Sequence, residues 1–102
     1  MAGEAHFLFN DFRVDIANER LWRGQQALRL THKAFAVLRY LVEHPGRIVT
    51  KAELFQVLWP ETVVSDAVLA VYVREIRRAL GESPKAPRFI ETVPRRGYRL
   101  VA

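Results

Sequence analysis

The spacing of apolar residues changes along the chain, and each change predicts a new type of secondary structure. Apolar residues alternate at Phe12, Val14 and Ile16, which is the spacing of a β-strand. Three pairs of turn-forming residues interrupt the stretch from 7 to 30, at 10–11, 18–19 and 24–25. We therefore predict a meander of four short antiparallel strands, which needs another layer to pack against.

Helical spacing begins after Thr31 and predicts three successive helices, at about 32–44, 51–59 and 66–80. Thr31 is the expected N-cap of the first helix, and Pro45-Gly46 ends it. Thr50 and Glu53 match the capping box that starts the second helix. The inward positions predicted for this second helix are Leu54, Val57 and Leu58.

The third predicted helix has an outer face of unusual composition. Its inward positions are Leu69, Tyr72, Val73, Ile76 and Leu80, and Gly81 is the expected C-cap. Its outer positions are small or apolar first and basic later: Ala67, Val71, Arg74 and Arg78, flanked by Ala70 and Glu75, with Arg77 at the border. Small residues let a helix approach base edges and thymine methyl groups, and arginine suits phosphates and guanine.

The end of the chain predicts a β-hairpin with a basic tip. Residues 88–93 and 98–101 have strand character, and Pro94 to Gly97 form the turn between them. We therefore expect Arg95 and Arg96 at the tip of this hairpin, which spans 88–101.

Charge and composition favour a polyanionic partner for a single domain of 102 residues. The chain has 16 Lys and Arg against 11 Asp and Glu, and 13 of the cations are arginines. Residues 65–102 contain eight of the cations and only four of the acids. This imbalance favours nucleic acid, although a basic domain whose charge serves only solubility is the alternative.

Catalytic, metal and cofactor chemistry are not indicated. The chain has no cysteine, and His6, His32 and His44 lie in different predicted elements without a metal-binding spacing. The five glycines lie at turns or element ends and form no phosphate-binding loop. We expect neither an enzyme nor a cofactor.

Without a signal peptide or an apolar run of membrane length, we also expect a cytoplasmic protein whose domain makes no membrane contact.

The order of helices followed by a basic hairpin is typical of a helix-turn-helix with a wing. Such a domain places one helix in the major groove of duplex DNA. A winged helix that binds proteins is the main alternative, and it would present an apolar outer face on the third helix. RNA binding is a further alternative, but most aromatic residues here fall at inward positions, where they cannot stack on bases.

Several stretches of the chain resemble the OmpR/PhoB-type winged helix-turn-helix, the effector domain of bacterial transcription regulators. They are Leu30-Thr31, 35–38, His44-Pro45-Gly46, Leu54, Leu58-Trp59, 73–81 and, most specifically, 87–100. The resemblance covers residues 7–102 and implies an α+β fold: a four-stranded antiparallel sheet, three helices and a hairpin wing. It also implies sequence-specific binding of double-stranded DNA, with 66–80 in the major groove and 88–101 on the adjacent minor groove or backbone.

The resemblance also implies which residues make contacts. The DNA-binding set it implies is Ala67, Ala70, Val71, Arg74, Glu75, Arg77, Arg78, Thr92, Arg95, Arg96 and Tyr98. The loop 59–64 resembles a transactivation loop that touches RNA polymerase, although Trp59 would serve equally well in the core. Relatives often bind as tandem copies, so a tandem dimer on DNA is a further expectation.

The sequence departs from the family pattern near the start of the first helix. Many relatives have an acidic residue at the position of Ala34, where it completes a capping box with Thr31. The strand pattern also begins within seven residues of Met1. From that position we expect the N-terminal DNA-binding segment of a longer one-component regulator.

Overall fold

A computed structural model describes residues 6–82, 85 and 88–101. The first four strands form an antiparallel sheet in chain order: β1 (His6–Phe9), β2 (Phe12–Asp15), β3 (Arg20–Arg23) and β4 (Gln26–Leu28). The turns between them contain Asn10, Glu19 and Gly24, which all adopt positive φ angles. The predicted meander is therefore confirmed.

Three helices follow, interrupted by one short strand: α1 (His32–Val42), β5 (Val49–Thr50), α2 (Lys51–Leu58) and α3 (Asp66–Leu80). The Thr50 hydroxyl accepts the Glu53 N–H at 3.1 Å and so starts α2 as predicted. Ser65 caps α3 in the same way, and Gly81 ends α3 in the left-handed conformation with φ of 76°. The start of α1 differs, because the Thr31 side chain makes no cap bond with its own helix.

The first helix ends two residues earlier than predicted. Glu43 is its C-cap, so His44 lies beyond the last turn. The Nδ1 atom of His44 lies 2.8 Å from the carbonyl oxygen of Tyr40. His44 thus contacts the C-terminal end of α1 from outside the helix.

The C-terminal wing has three strands. Its hairpin consists of β6 (Ile90–Val93) and β7 (Gly97–Leu100), and β5 pairs with the other edge of β7. The pattern of apolar residues did not predict β5. Gly97 makes the close approach to β5 possible, because a Cβ atom there would lie 2.0 Å from the Val49 carbonyl oxygen. Between α3 and the wing, residues 83, 84, 86 and 87 lie outside the described part of the chain.

One hydrophobic cluster joins the first sheet, the helices and the wing. Phe9 and Phe12 from the sheet meet Phe89 at the start of the wing, with ring centroids 5.3–5.8 Å apart. The inward positions predicted for α3 are confirmed for Leu69, Val73, Ile76 and Leu80, while Tyr72 is half-buried. One inward prediction is wrong: Val57 is 48% exposed, because α2 packs through Leu54 with Phe55 and Leu58 beside it.

Candidate nucleic-acid interface

The outer face of α3 is exposed where the sequence predicted contact residues. Ala67, Val71, Arg74 and Arg78 are exposed, and Ala70 is half-buried. Val71 is an exposed apolar side chain, with 52% of its surface accessible. The first half of α3 therefore presents methyl groups and the second half presents guanidinium groups.

A cleft of about 590 Å³ separates α3 from the wing. Six of the predicted contact residues line it: Ala70, Arg74, Arg77, Arg78, Thr92 and Tyr98. Tyr98 is only 6% exposed and belongs to the hydrophobic core, so it lines the cleft on its buried side. The structure thus brings the third helix and the wing together in one concave surface.

Arg77 connects α3 to the wing. Its Nε donates to the Glu82 carboxylate at 3.1 Å, and a terminal nitrogen donates to the Ile90 carbonyl and the Thr92 hydroxyl. The Glu82 side chain is fully buried and also accepts the backbone N–H groups of residues 88–90. The sequence pattern placed Arg77 in the DNA-contacting set and did not single out Glu82, whose burial depends on its contacts with the backbone of residues 88–90.

Glu75 is turned toward α1. Its carboxylate accepts the backbone N–H of Thr31 at 2.6 Å and the Thr31 hydroxyl at 2.9 Å. Both contacts explain why the Thr31 side chain does not cap its own helix. The half-buried side chain of Glu75 is therefore bonded to another part of the protein, although the sequence placed it beside the DNA-facing positions.

The tip of the wing is exposed and basic. Arg95 and Arg96 follow Pro94, and Arg95 adopts a positive φ of 67°. The backbone of Arg96 ties the tip to neighbouring elements, since its N–H donates to Val93 and its carbonyl accepts the N–H of Lys51. The Arg95 and Arg96 side chains both lie at the exposed tip.

The arginines of the cleft and wing divide into paired and unpaired groups. Arg77 and Arg99 are paired, with Glu82 and Glu91 respectively. On α3 and at the wing tip, four exposed arginines have guanidinium groups without a hydrogen-bond or carboxylate partner among the described residues: Arg74, Arg78, Arg95 and Arg96. Unpaired guanidinium groups remain available to an anionic ligand.

The loop between α2 and α3 is held by Trp59. Its ring lies 5.8 Å from that of Tyr72 on α3, and the Lys33 Nζ lies 5.2 Å above it. The same Lys33 amine donates to the Leu58 carbonyl at the end of α2. Val63, further along the loop, is completely exposed.

An ion pair between Arg47 and Glu53 lies at the start of α2. Arg47 donates to the Glu53 carboxylate at 2.8 Å, and the Tyr40 hydroxyl is hydrogen-bonded to the same group. The bond from Arg47, followed by that from Tyr40, lowers the pKa of Glu53 to about 2. Glu53 therefore remains ionised and holds α1, the segment before β5 and α2 together.

Among the described residues, no group of three or more His, Asp or Glu side chains is arranged to hold a metal ion. Across the same part of the chain, no helix is long and apolar enough to cross a membrane.

Comparison with known proteins supports the same interpretation. A transcriptional activator of Vibrio parahaemolyticus, described as a cholera toxin homolog activator, is 35% identical over 97 residues, covering 93% of this chain and 32% of the relative. The chain spans about a third of the length of the curated relatives to which it is similar, such as this activator.

Two solved structures share the fold closely. The DNA-binding domain of RstA from Klebsiella pneumoniae, in complex with the RstA box, is 25% identical with a TM-score of 0.85 over 94% of this chain and 96% of that one. DrrB of Thermotoga maritima, an OmpR/PhoB homolog, is 29% identical with a TM-score of 0.86 over 95% of this chain and 44% of that one. The family model described as "Transcriptional regulatory protein, C terminal" matches residues 24–100. The chain therefore belongs to this family of OmpR/PhoB-type winged helix-turn-helix DNA-binding domains of transcription regulators.

Proposed function

We propose that this domain binds duplex DNA in a sequence-specific manner through α3 and the wing. The observation that carries the proposal is the set of four exposed arginines without internal partners, two on α3 and two at the wing tip. The RstA domain, which shares the fold, is solved with a DNA box. Specific recognition of DNA by helix-turn-helix domains combines phosphate contacts with base contacts from one helix.

The two halves of α3 have different roles in this proposal. Ala67, Ala70 and Val71 allow α3 to lie deep in the major groove and contact thymine methyl groups. Arg74, in the middle of the helix, reads a base edge, whereas Arg78 near its C-terminal end contacts a phosphate. The bases are thus read mainly by shape, methyl groups and one guanidinium group.

The wing supplies the second set of contacts. Arg95 and Arg96 enter the adjacent minor groove or contact its backbone, where a narrow groove attracts arginine. Thr92 and Tyr98 shape the cleft behind them, since Thr92 is bonded to Arg77 and Tyr98 is buried. These two residues and Arg77 therefore act by holding the wing against α3.

The domain would have further partners when it is bound to DNA. We propose that the loop 59–64 contacts RNA polymerase, which is supported by the fully exposed Val63 and the Trp59 ring that fixes the loop's start. Two copies bound in tandem would add base contacts that one small domain lacks. Binding to chromosomal DNA in bacteria would place the protein in the cytoplasm.

The proposal is tested by selecting bound sequences from a random duplex library at physiological salt. We expect a short enriched motif, present as a spaced repeat if tandem binding occurs. Recovery of no motif would contradict specific binding and would favour a winged helix that binds proteins.

Two arginine variants then distinguish recognition of a base from electrostatic binding to the phosphates. Arg74→Ala should change the preferred base at one position of the motif, whereas Arg78→Ala should weaken binding to all sequences to a similar degree. Competition binding of the selected site and its single-base variants measures both effects. Equal losses on every sequence for both variants would contradict the assignment of Arg74 to a base.

A further inference from the structure

Glu75 forms a direct bridge between α3 and the start of α1. One carboxylate oxygen accepts the Thr31 backbone N–H at 2.6 Å, and the other accepts the Thr31 hydroxyl at 2.9 Å. The two residues are 44 positions apart in sequence. This bridge therefore connects two helices at a point where only tertiary structure can bring them together.

No side chain within α1 accepts a hydrogen bond at the start of this helix. The N-cap hydroxyl makes no bond within α1, and its first turn contains no acidic residue. In a capping box, the third helical residue accepts the N–H of the N-cap, but here that residue is Ala34. Glu75 supplies the missing acceptor from another helix, and its charge lies at the positive end of the α1 dipole.

The bridge also lies between two other ties of α3. The Asp66 carboxylate accepts from Lys51 at 3.1 Å near the first turn, and Arg77 joins Glu82 near the last. Glu75 holds the middle of the helix, next to Arg74 in sequence. A rotation of α3 about its axis would break this bridge and move Arg74 at the same time.

We propose that Glu75 is a positioning residue: it fixes the rotation of α3 on α1 and so sets where Val71 and Arg74 meet the DNA, without contacting a base itself. This inference rests on the proposed function of α3 as the recognition helix. It replaces the sequence-based expectation that Glu75 belongs to the contacting set.

Two substitutions at Glu75 separate positioning from charge. A glutamine can keep both bonds, since its carbonyl accepts the Thr31 N–H and its amide donates to the Thr31 hydroxyl oxygen. An alanine keeps neither bond. Both substitutions remove the same negative charge from a DNA-binding surface, and charge alone would make both bind DNA more tightly.

The experiment compares Kd for the selected site and for an unrelated duplex, by fluorescence anisotropy on protein whose folding is checked by circular dichroism. We expect Glu75→Ala to lower the ratio of specific to non-specific affinity roughly tenfold, comparable to the loss of one base contact. Glu75→Gln should keep the wild-type ratio. Glu61→Gln, which removes an exposed acid from the loop between α2 and α3 and leaves the ties of α3 in place, is the matched control and should leave the ratio of the two affinities unchanged.

Three results would overturn the proposal. Equal gains in affinity for Glu75→Ala and Glu75→Gln would show that the carboxylate only repels DNA. A changed base preference in Glu75→Gln would show that Glu75 reads a base, such as the cytosine amine. A lower melting temperature for Glu75→Ala with an unchanged affinity ratio would show a purely structural role. A wild-type domain with no preferred site would instead refute the proposed function, and this role with it.

Discussion

Replacing Arg77 with alanine would break the connection between α3 and the wing while leaving the hydrophobic cluster intact. The Arg77 side chain is only 11% exposed and donates to a carboxylate, a carbonyl and a hydroxyl. The substitution leaves the Glu82 carboxylate fully buried and without its cation. The folded state would then contain an uncompensated charge.

The size of the effect follows from that burial. Removing one partner of a buried ion pair costs about 3–5 kcal/mol of folding free energy. Glu82 keeps three backbone N–H donors after the change, which favours the lower end of about 3 kcal/mol. For a domain of this size, a loss of this magnitude lowers the melting temperature by roughly 12–24 °C.

The matched control is Arg99→Ala, in the same wing. Arg99 pairs with Glu91 at 2.7 Å, but the two side chains are 33% and 40% exposed. Such a surface pair contributes at most about 1 kcal/mol. Urea unfolding followed by far-ultraviolet circular dichroism measures both variants. If Arg77→Ala costs no more than Arg99→Ala, the buried network does not hold the wing, and the reasoning is refuted.

Two further predictions concern the wing sheet and the acid stability of the domain. Gly97→Ala should destabilise the fold by about 3 kcal/mol or more, because the new Cβ would overlap the Val49 carbonyl oxygen. The control Gly46→Ala should cost only about 1 kcal/mol, because the new Cβ meets open space and only the φ of 77° is unfavourable. Similar melting temperatures for the two variants would contradict this prediction. Because Arg47 lowers the pKa of Glu53 to about 2 from 4.5, this carboxylate stabilises the fold above pH 4.5, and the contribution is lost as the pH falls toward 2. Glu53→Gln should therefore flatten the pH dependence of unfolding in that window, and an unchanged slope would exclude the ion pair as its cause.

The elements that sequence predicted best are those bounded by local chemistry. The bounds of α3 agree with the prediction because Ser65 accepts an N–H of the first turn and Gly81 adopts the left-handed conformation that ends the helix. The first sheet was predictable for a similar reason, since its turns contain Asn, Gly and neighbouring polar residues. Contacts within a few residues were enough to define these elements.

The features that sequence missed depend on distant residues. The strand β5 has only two residues and exists because β7 pairs with it, more than 40 positions later. Val57 lies at an apolar helical position, but the neighbours of α2 cover Leu54 instead. Tyr98 was placed among the DNA contacts, but it is buried in the hydrophobic cluster because the wing packs on the helices. Periodicity identifies an apolar face but does not say which neighbour covers it.

The arginines of α3 show why a helical wheel alone does not distinguish paired from unpaired guanidinium groups. Arg74 and Arg77 are three residues apart and so lie only about 60° apart around the helix. Periodicity therefore assigns both to nearly the same surface. The buried carboxylate of Glu82, in the segment after the helix, accepts from Arg77 and leaves Arg74 exposed. One acidic residue outside α3 thus decides which guanidinium group holds the wing and which stays exposed and unpaired.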